Sequence, residues 1–316
     1  MAPSYLHNHK EFPDLIKIVG DEKGILPGLV EKDYWIMHAL HSLKHQGFNF
    51  ELKGGTSLSK GHKIIHRFSE DIDIHIAPPF ELEVNENSEK DNAVESRKKF
   101  YDWLAEKIKI DGITSVSRDH AFDDERYYRS GGIRLNYKTH AGSIPGLKEG
   151  ILLEAGFDTV TPNINCLISS WAFDKASTIS GLKFLDNRAV DIPCYLPGYT
   201  LVEKLQTITR KFRQEQEGKG KELNYMRQYY DLGCLLGVKE VQEFVGTDEY
   251  KAHKQKRFSK TDLSIPISQN EAFKLADTEL RKDFISRYKK TEALYFNGQP
   301  DFEEVLAIIK KNLDKL

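Results

Sequence analysis

The sequence is poor in cysteine, and its three cysteines lie far apart. Cys166, Cys194 and Cys234 have neither the spacing of a zinc site nor the even number that a disulfide framework requires. This excludes a small secreted domain stapled by disulfides. A reducing compartment, the cytoplasm, is the expected setting.

Long hydrophobic runs and a net charge of one sign are also lacking. No stretch approaches the ~18 apolar residues of a membrane-spanning helix, so we expect no contact with a membrane. The first residues lack a basic region followed by an apolar one, so a secretory signal is not expected. The net charge of −2 gives no overall attraction to nucleic acid or to an anionic membrane. Any such contact would need a local basic patch.

What is present is an ordinary globular composition, with 39% hydrophobic and 30% charged residues among 316. In the first half, a helical pattern over residues 29–44 is followed by several segments in which apolar and polar residues alternate, as they do in strands. These predicted strands cover residues 48–53, 67–77, 133–137 and 150–157.

The second half is different, because from residue 200 onward the pattern is almost wholly helical. Predicted helices cover residues 200–216, 221–236, 270–288 and 302–313. Residues 190–199, which include two prolines and a glycine, are predicted to be a linker. We therefore predict an α+β fold with a mixed domain over residues 1–195 and a helical domain over residues 196–316.

A glycine-rich turn, GGTS, follows the first predicted strand. Glycine permits a positive φ and a close approach of the backbone to phosphate. A helix that begins near Ser57 would add free N–H groups, which form an anion site. The residues predicted to contact the nucleotide phosphates are Gly54, Gly55, Thr56, Ser57, Lys60 and Arg67.

Two acids then alternate along the next predicted strand, so Asp71 and Asp73 point to the same face. Two like charges this close raise each other's pKa unless a cation lies between them, and Mg²⁺ suits that position. Glu154 lies in an apolar run, GILLEAGFD, where an unpaired acid is costly. The sequence thus predicts a metal site made of Asp71, Asp73 and Glu154, of the kind that supports phosphoryl-type transfer.

Each of these signals has a plainer interpretation when it stands alone. An isolated Asp-x-Asp can be a pair of solvent-facing acids, and Glu154 can belong to a half-exposed strand. The order of the elements favours the functional interpretation: strand, glycine turn, helix, then strand with Asp-Ile-Asp.

Four stretches of the sequence together resemble a known family. The stretches are VEKDYWIMHAL (30–40), LKGGTSLSKGHKIIHRFSEDIDI (52–74), YTLVEKLQTITRK (199–211) and MRQYYDLGCLL (226–236). They resemble the polymerase-β-like nucleotidyltransferase superfamily, and within it the AbiEii/AbiGii-type nucleotidyltransferase toxins of bacterial toxin–antitoxin systems, some of which act in abortive infection by phage.

The resemblance implies a nucleotidyltransferase-fold mixed sheet flanked by helices, followed by a helical C-terminal domain. It implies transfer of a nucleoside monophosphate from an NTP to an acceptor, with Mg²⁺ as cofactor. In some members the acceptor is the 3′ end of tRNA, and its modification blocks translation and growth. A cognate antitoxin is the implied partner.

The resemblance also assigns roles to residues. Asp71 and Asp73 would bind the catalytic metal, and residues 55–57 would hold the triphosphate. Lys204 and Asp231 match the two helical residues that the family needs for activity, and the helical domain would contribute them to the site. Where family members often carry an acid after the residue equivalent to Arg227, this chain has Gln228.

Several alternatives remain open from the sequence. The same chemistry can act on a protein hydroxyl or on a small molecule. Metal-dependent glycosyltransferases also use Asp-x-Asp, and an inactive NTP-binding protein is a further alternative. The basic residues at 251–260 could contact RNA or form a solvated face. The tyrosines at 225, 229 and 230 could stack on a base or pack between helices.

Overall fold

The computed structural model describes residues 3–142 and 147–316. The chain divides into two compact units. The first unit consists of Met1–His62 and Phe68–Tyr195, and the second of Lys63–Arg67 and Leu196–Leu316. The short segment Lys63–Arg67 therefore leaves the first unit and belongs to the second. This segment includes Arg67, which we predicted to contact phosphate.

The first unit is built on a mixed seven-stranded sheet. Its strands in chain order are β1 (Phe50–Lys53), β2 (Asp71–Ile76), β3 (Ile113–Asp119), β4 (Ser130–Tyr137), β5 (Ile151–Gly156), β6 (Asn163–Ile168) and β7 (Ala189–Tyr195). Their order across the sheet is β3-β4-β5-β2-β1-β7-β6. The pairs β2–β5 and β1–β7 are parallel, and the other neighbouring pairs are antiparallel. The predicted α+β fold is confirmed.

The two faces of β2 follow from its sequence, Asp-Ile-Asp-Ile-His-Ile. Buried and half-buried side chains alternate along the whole strand. The isoleucines are at most 1% exposed and form one face. The other face carries Asp71, Asp73 and His75, as the strand period of two predicts. The sheet thus offers a polar face beside a packed apolar one.

The described part of the first unit contains five α-helices. They are α1 (Phe12–Lys23), α2 (Pro27–His45), α3 (Gly54–Thr56), α4 (Asp91–Lys107) and α5 (Trp171–Ser177). A proline at the first position of α2 suits a helix start, where its missing N–H costs nothing. Every residue of α2 from Gly28 to Leu40 is buried. This central helix packs against α1, α5 and β7.

The predicted linker over residues 190–199 is wrong. Residues 189–195 form β7, which pairs with β1 and β6 inside the sheet. Ile192 and Cys194 are fully buried, so this segment has the burial of a strand. Pro193 lies within β7 and is paired with Asn165 of β6. Pro197 occupies the first position of the next helix, so it marks a helix start and not a linker.

The second unit is helical, as the pattern predicts. Its helices are α6 (Pro197–Gln216), α7 (Arg227–Leu236), α8 (Lys239–Phe244), α9 (Asp248–Arg257), α10 (Lys260–Leu263), α11 (Glu271–Lys274), α12 (Thr278–Lys289) and α13 (Phe302–Asn312). The single helix predicted over residues 270–288 is wrong, because Leu275 has a φ of 42° and separates α11 from α12. In the described part of the chain, no helix is both long and apolar enough to cross a membrane.

Three tyrosines in and just before α7 pack inside the second unit. Tyr225, Tyr229 and Tyr230 are at most 6% exposed. The ring of Tyr229 contacts Phe284 and Phe302 edge-on, and its hydroxyl donates to the carbonyl of Ala272 at 2.8 Å. Core packing, one of the two alternatives for these tyrosines, is therefore confirmed.

Candidate active site

The structure places three of the predicted acids on one face of the first unit's sheet. Strands β2 and β5 run parallel, with Asp71 opposite Leu152 and Asp73 opposite Glu154. Because directly paired residues of neighbouring strands project to the same face, Asp71, Asp73 and Glu154 share that face. All three are half-buried.

These carboxylates repel one another. Burial is the largest cause that raises the pKa of Glu154, and the charges of Asp73 and Asp71 raise it further, to about 7. The nearby Lys53 partly opposes this shift. At neutral pH Glu154 is therefore divided between its acid and its carboxylate form. A cation bound beside it would favour the carboxylate.

The glycine turn and the carboxylate strand are in direct contact. A Cβ atom added to Gly54 would lie 2.0 Å from Oδ2 of Asp73, which is far inside van der Waals contact. Gly54 also has a φ of +69°, a conformation that residues with a side chain rarely adopt. Beside it, the hydroxyl of Thr56 donates to the backbone carbonyl of Asp71. The clash with Asp73 and the positive φ together explain why this turn carries glycine at position 54.

A short helical segment begins at this turn. Residues 54–56 form α3, and Ser57–Gly61 continue it as a wider turn in which the N–H of His62 bonds the carbonyl of Ser57 at 2.9 Å. The helix predicted near Ser57 thus starts earlier, at Gly54. Its first N–H groups have no partner within the helix and suit an anion. Turns of this wider kind are frequent at functional sites.

The two hydroxyls of the turn point inward. Thr56 and Ser57 are fully buried, and the hydroxyl of Thr56 already has a carbonyl partner. The backbone is thus the part of the turn best suited to meet a phosphate. The contacts of Gly55, Thr56 and Ser57 with a triphosphate stay predictions.

Lys60, which we predicted to neutralise phosphate, has partners within the first unit. Its ammonium group lies 2.5 Å from Oδ1 of Asp33 and donates to the carbonyl of Ser169 at 2.9 Å. The second oxygen of Asp33 accepts from the N–H of Trp171 at 2.9 Å. Lys60 thus fastens the short helical segment to α2 and to the start of α5. Its contact with phosphate stays a prediction.

Sequence reasoning missed the roles of two further charged residues of α2. Glu31, Lys32 and Asp33 are consecutive, and each is at most 3% exposed. Glu31 accepts from the hydroxyl of Thr139 at 2.7 Å, and Lys32 donates to the carbonyl of Lys148 at 2.8 Å. Burial lowers the pKa of Lys32, although the acids at positions 70 and 71 oppose the shift. Three adjacent charges inside an apolar helix were the signal that could have identified them.

A second cluster of predicted residues lies inside the second unit. Asp231 is fully buried, and the guanidinium of Arg67 donates to both of its oxygens at 2.6 Å. The ammonium of Lys204 lies 2.9 Å from Oδ2 of the same carboxylate. Burial alone would raise the pKa of Asp231, but the charges of Arg67 and Lys204 hold it well below its ordinary value.

Lys204 and its neighbour Glu203 have different partners. Lys204 is 7% exposed, so it is not a solvated surface lysine. Its neighbour Glu203 instead accepts from His253 at 3.0 Å and from Arg257 at 2.8 Å. The roles of Arg67, Lys204 and Asp231 toward a nucleotide stay predictions.

The chemistry of the acids on β2 fits a Mg²⁺ ion. Mg²⁺ prefers oxygen ligands and is commonly held by one or two carboxylates, together with water and substrate phosphates. Asp71 and Asp73 can supply such a pair. Among residues 3–142 and 147–316, no group of three or more His, Cys, Asp or Glu is arranged to hold a metal ion. Glu154 as a third ligand therefore stays a prediction.

The chain matches a model of a known protein family. A family model described as the nucleotidyl transferase AbiEii toxin of type IV toxin–antitoxin systems matches residues 36–308 of the chain. The matched range includes the glycine turn, all three acids of the sheet and the buried cluster of the second unit. Comparison with curated proteins gave no match.

Two solved structures resemble the chain at low sequence identity. JHP933 from Helicobacter pylori is 16% identical, covers 89% of this chain and 92% of its own, and has a TM-score of 0.42. An antigenic nucleotidyltransferase-like protein from Paracoccidioides brasiliensis is 13% identical, with coverages of 74% and 91% and a TM-score of 0.36.

Proposed function

The chain belongs to the AbiEii family of nucleotidyltransferase toxins, and we propose that it transfers a nucleoside monophosphate from an NTP to the 3′ end of tRNA. The observation that carries the proposal is the contact of Gly54 with the carboxylate of Asp73. It brings the anion-binding start of a helix against an acid pair, which are the two parts that phosphoryl-type transfer from a nucleotide requires.

Asp71 and Asp73 are the proposed holders of a divalent ion, Mg²⁺. When bound, the ion would neutralise the phosphate charge and polarise the α-phosphate. The backbone N–H groups at the start of α3 would bind the triphosphate beside it. The turn would thus position the nucleotide, and the carboxylates would orient it for attack.

In the proposed reaction, the oxygen of an acceptor hydroxyl forms a bond with the α-phosphorus. The bond from that phosphorus to the oxygen that bridges the α- and β-phosphates breaks, and pyrophosphate leaves with the bonding electron pair. The hydroxyl proton must be removed, and Glu154 on the same face is the proposed base. Its raised pKa, about 7, suits proton transfer at neutral pH.

Lys204 is proposed to offset charge on the departing pyrophosphate. Asp231 would hold its ammonium group, and Arg67 would in turn hold Asp231. Family membership supports this part of the proposal.

The family implies an antitoxin that opposes the activity, and we propose one as the protein's partner. The cytoplasm, where NTPs and tRNA are present, is the proposed place of action. A block of translation by tRNA modification would make the protein toxic to its own cell.

The experiment is a transfer assay. The protein is incubated with total bacterial tRNA, Mg²⁺ and each α-labelled NTP in turn, beside the double variant Asp71→Asn/Asp73→Asn. The matched control is Asp14→Asn, which removes a 76% exposed carboxylate from α1 of the same unit. A parallel reaction with a chelator tests the need for metal.

We expect label on tRNA with the natural protein and the Asp14 variant, and none with the double variant or the chelator. Label on protein, with none on RNA, would replace tRNA by a protein hydroxyl as acceptor. Transfer that survives the double substitution would contradict the proposed site.

A further inference from the structure

A loop at the start of β4 combines two arginines with two tyrosines. We call residues 126–129, Arg-Tyr-Tyr-Arg, the arginine–tyrosine loop. The guanidinium carbons of Arg126 and Arg129 lie 4.7 and 5.3 Å from the ring centre of Tyr127, within the range of cation–π contact. Both arginines are exposed, and both tyrosines are partly exposed.

Asp124 holds this loop in one conformation. Its carbonyl accepts from the N–H of Tyr128 at 2.9 Å, and its carboxylate accepts from the N–H groups of Arg126 and Arg129 at 3.3 and 3.1 Å. Its own N–H donates to the carbonyl of Ser130 at 2.9 Å. One acid thus fixes most of the loop's backbone before any ligand arrives.

Beneath the loop lies a fully buried arginine. Arg97 donates through Nε to the carbonyl of Tyr127 at 2.8 Å and through Nη1 to the carbonyls of Asn85 and Ser88. Its Nη2 is buried and has no hydrogen-bond partner among the residues that the structure describes. Burial of a guanidinium on carbonyl groups alone is costly. The hydrogen bond from Arg97 thus supports the loop, although the burial of this guanidinium is itself unfavourable.

The loop also contains backbone strain. Tyr128 has a φ of 50°, which is unusual for a bulky residue and is typical of glycine. A glycine here would relieve the strain but would remove the ring. Strained residues of this kind cluster at active sites and ligand-binding segments.

The loop lies close to the candidate base. Gly132 of β4 is opposite Glu154, and Ser130, the residue after the loop, is opposite Gly156. Two residues of strand cover about 7 Å. The side chains at positions 130 and 154 project to the same face of the sheet.

We propose that the arginine–tyrosine loop binds the single-stranded end of the RNA acceptor, an inference that rests on the proposed transfer to RNA. The rings of Tyr127 and Tyr128 stack on unpaired bases, and Arg126 and Arg129 contact the phosphates that flank them. Aromatic side chains interleaved with arginine are the usual means of holding single strands.

An RNA phosphate would have to displace Glu89, the present partner of Arg129. Arg129 pairs with Glu89 at 2.9 Å, and both side chains are about half exposed, at 52% and 56%. Exposed pairs of this kind contribute little to stability. A phosphate, which carries a full charge and several acceptor oxygens, can therefore replace Glu89 as the partner of Arg129.

The test is an RNA-binding measurement without NTP, so that no turnover occurs. The full chain is titrated into a fluorescent single-stranded RNA of about 12 nucleotides, within the span that such sites commonly cover. A blunt RNA duplex of the same length is the second probe. The variants are Arg126→Glu and Tyr128→Gly, the second of which suits the backbone conformation already present.

Matched controls come from the same unit. Lys99→Glu makes the same charge change on the exposed face of α4, and Phe80→Gly removes an aromatic ring that is 91% exposed. Calorimetric NTP binding is measured for every variant, as a check that the fold and the nucleotide site persist.

We expect each loop variant to weaken binding of the single strand about tenfold or more, since a stacked base or a phosphate contact contributes on that scale. Both controls should change it less than about twofold, and NTP binding should be unchanged throughout. The natural protein should bind the duplex more weakly than the single strand. Loop variants that bind RNA like the natural protein would overturn the proposal, as would failure of the natural protein to bind the single strand.

Failure of the proposed function can be told apart from failure of this inference. If the natural protein labels tRNA while the loop variants bind and label it normally, the function stands and the loop assignment falls. If the loop variants lose RNA binding, and neither the natural protein nor any variant labels tRNA, the claim that the loop binds single-stranded RNA stands. The proposed transfer to tRNA is then wrong.

Discussion

The carboxylate of Asp73 occupies the space that a side chain on Gly54 would need. Gly54 belongs to a turn that opens a short helix, and Asp73 belongs to the strand that carries the acid pair. The close approach of these two residues joins two sequence motifs into one site. Neither motif alone specifies this arrangement.

The first prediction concerns Gly54→Ala. The added methyl group would meet Asp73 at 2.0 Å and would sit on a backbone with a φ of +69°, so the acid or the turn must move. We expect nucleotidyl transfer to fall ~100-fold or more, because a misplacement of about 1 Å is enough for such a loss.

A matched control separates steric clash from backbone strain. Gly181 also has a positive φ, +81°, but a Cβ there would meet no atom of the described residues within 4 Å. Gly181→Ala should therefore destabilise the fold by about 1 kcal/mol while transfer stays normal. Equal losses of activity in both variants would refute the steric explanation.

The second prediction concerns the buried pair of Arg67 and Asp231. Without Arg67 the buried carboxylate of Asp231 keeps the ammonium of Lys204 but loses both guanidinium hydrogen bonds, so Arg67→Ala should lower the free energy of unfolding by about 3 kcal/mol. Unfolding in denaturant, followed by circular dichroism, measures this change.

The control for that pair is on the surface. Arg188 pairs with Asp186, and their side chains are 38% and 53% exposed. Arg188→Ala should cost no more than about 1 kcal/mol. If the Arg67 and Arg188 variants lowered the free energy of unfolding by the same amount, burial of the pair would not explain its contribution to stability.

The third prediction concerns acid sensitivity. Burial lowers the pKa of His38 from 6.5 to about 3, and Asn187 donates to its Nδ1 while its Nε2 lies 3.1 Å from the carbonyl of Asp111. The folded state thus holds His38 neutral, whereas the unfolded chain protonates it near pH 6.5. Its contribution is complete above pH 6.5 and is lost as the pH falls toward 3.

The unfolding free energy should therefore fall below pH 6.5, with a slope of up to ~1.4 kcal/mol per pH unit from this residue alone. His38→Gln should lose stability at pH 7 yet show a shallower slope between pH 6 and 4. His45→Gln, a change at an exposed histidine, should keep the natural slope. An unchanged slope in the His38 variant would contradict this account.

The parts of the fold that the sequence predicts are those set by local periodicity. The alternation of isoleucine with polar residues gave the two faces of β2 correctly, because a strand has a period of two. The apolar spacing of α2 likewise predicted its helix. β7 was missed because Pro193 and Pro197, which are typical of turns, outweighed its apolar residues Ile192 and Cys194.

The parts that could not be predicted depend on contacts between distant positions. Arg67 and Asp231 are 164 residues apart, so no local pattern connects them. Lys60 is predicted to neutralise phosphate because it lies near the glycine turn in sequence, and its observed partner Asp33 in α2 was not predicted. Sequence reasoning found the charged groups but not their partners.

The central claim is that this site breaks the bond between the α- and β-phosphates of an NTP. The most direct measurement supplies the protein, Mg²⁺ and total tRNA with one NTP labelled either at the α- or at the γ-phosphate. The account predicts that the α label joins the acceptor and that the γ label leaves in pyrophosphate, and that both products vanish in Asp71→Asn/Asp73→Asn. A γ label on the acceptor, or products that persist in the double variant, would contradict it.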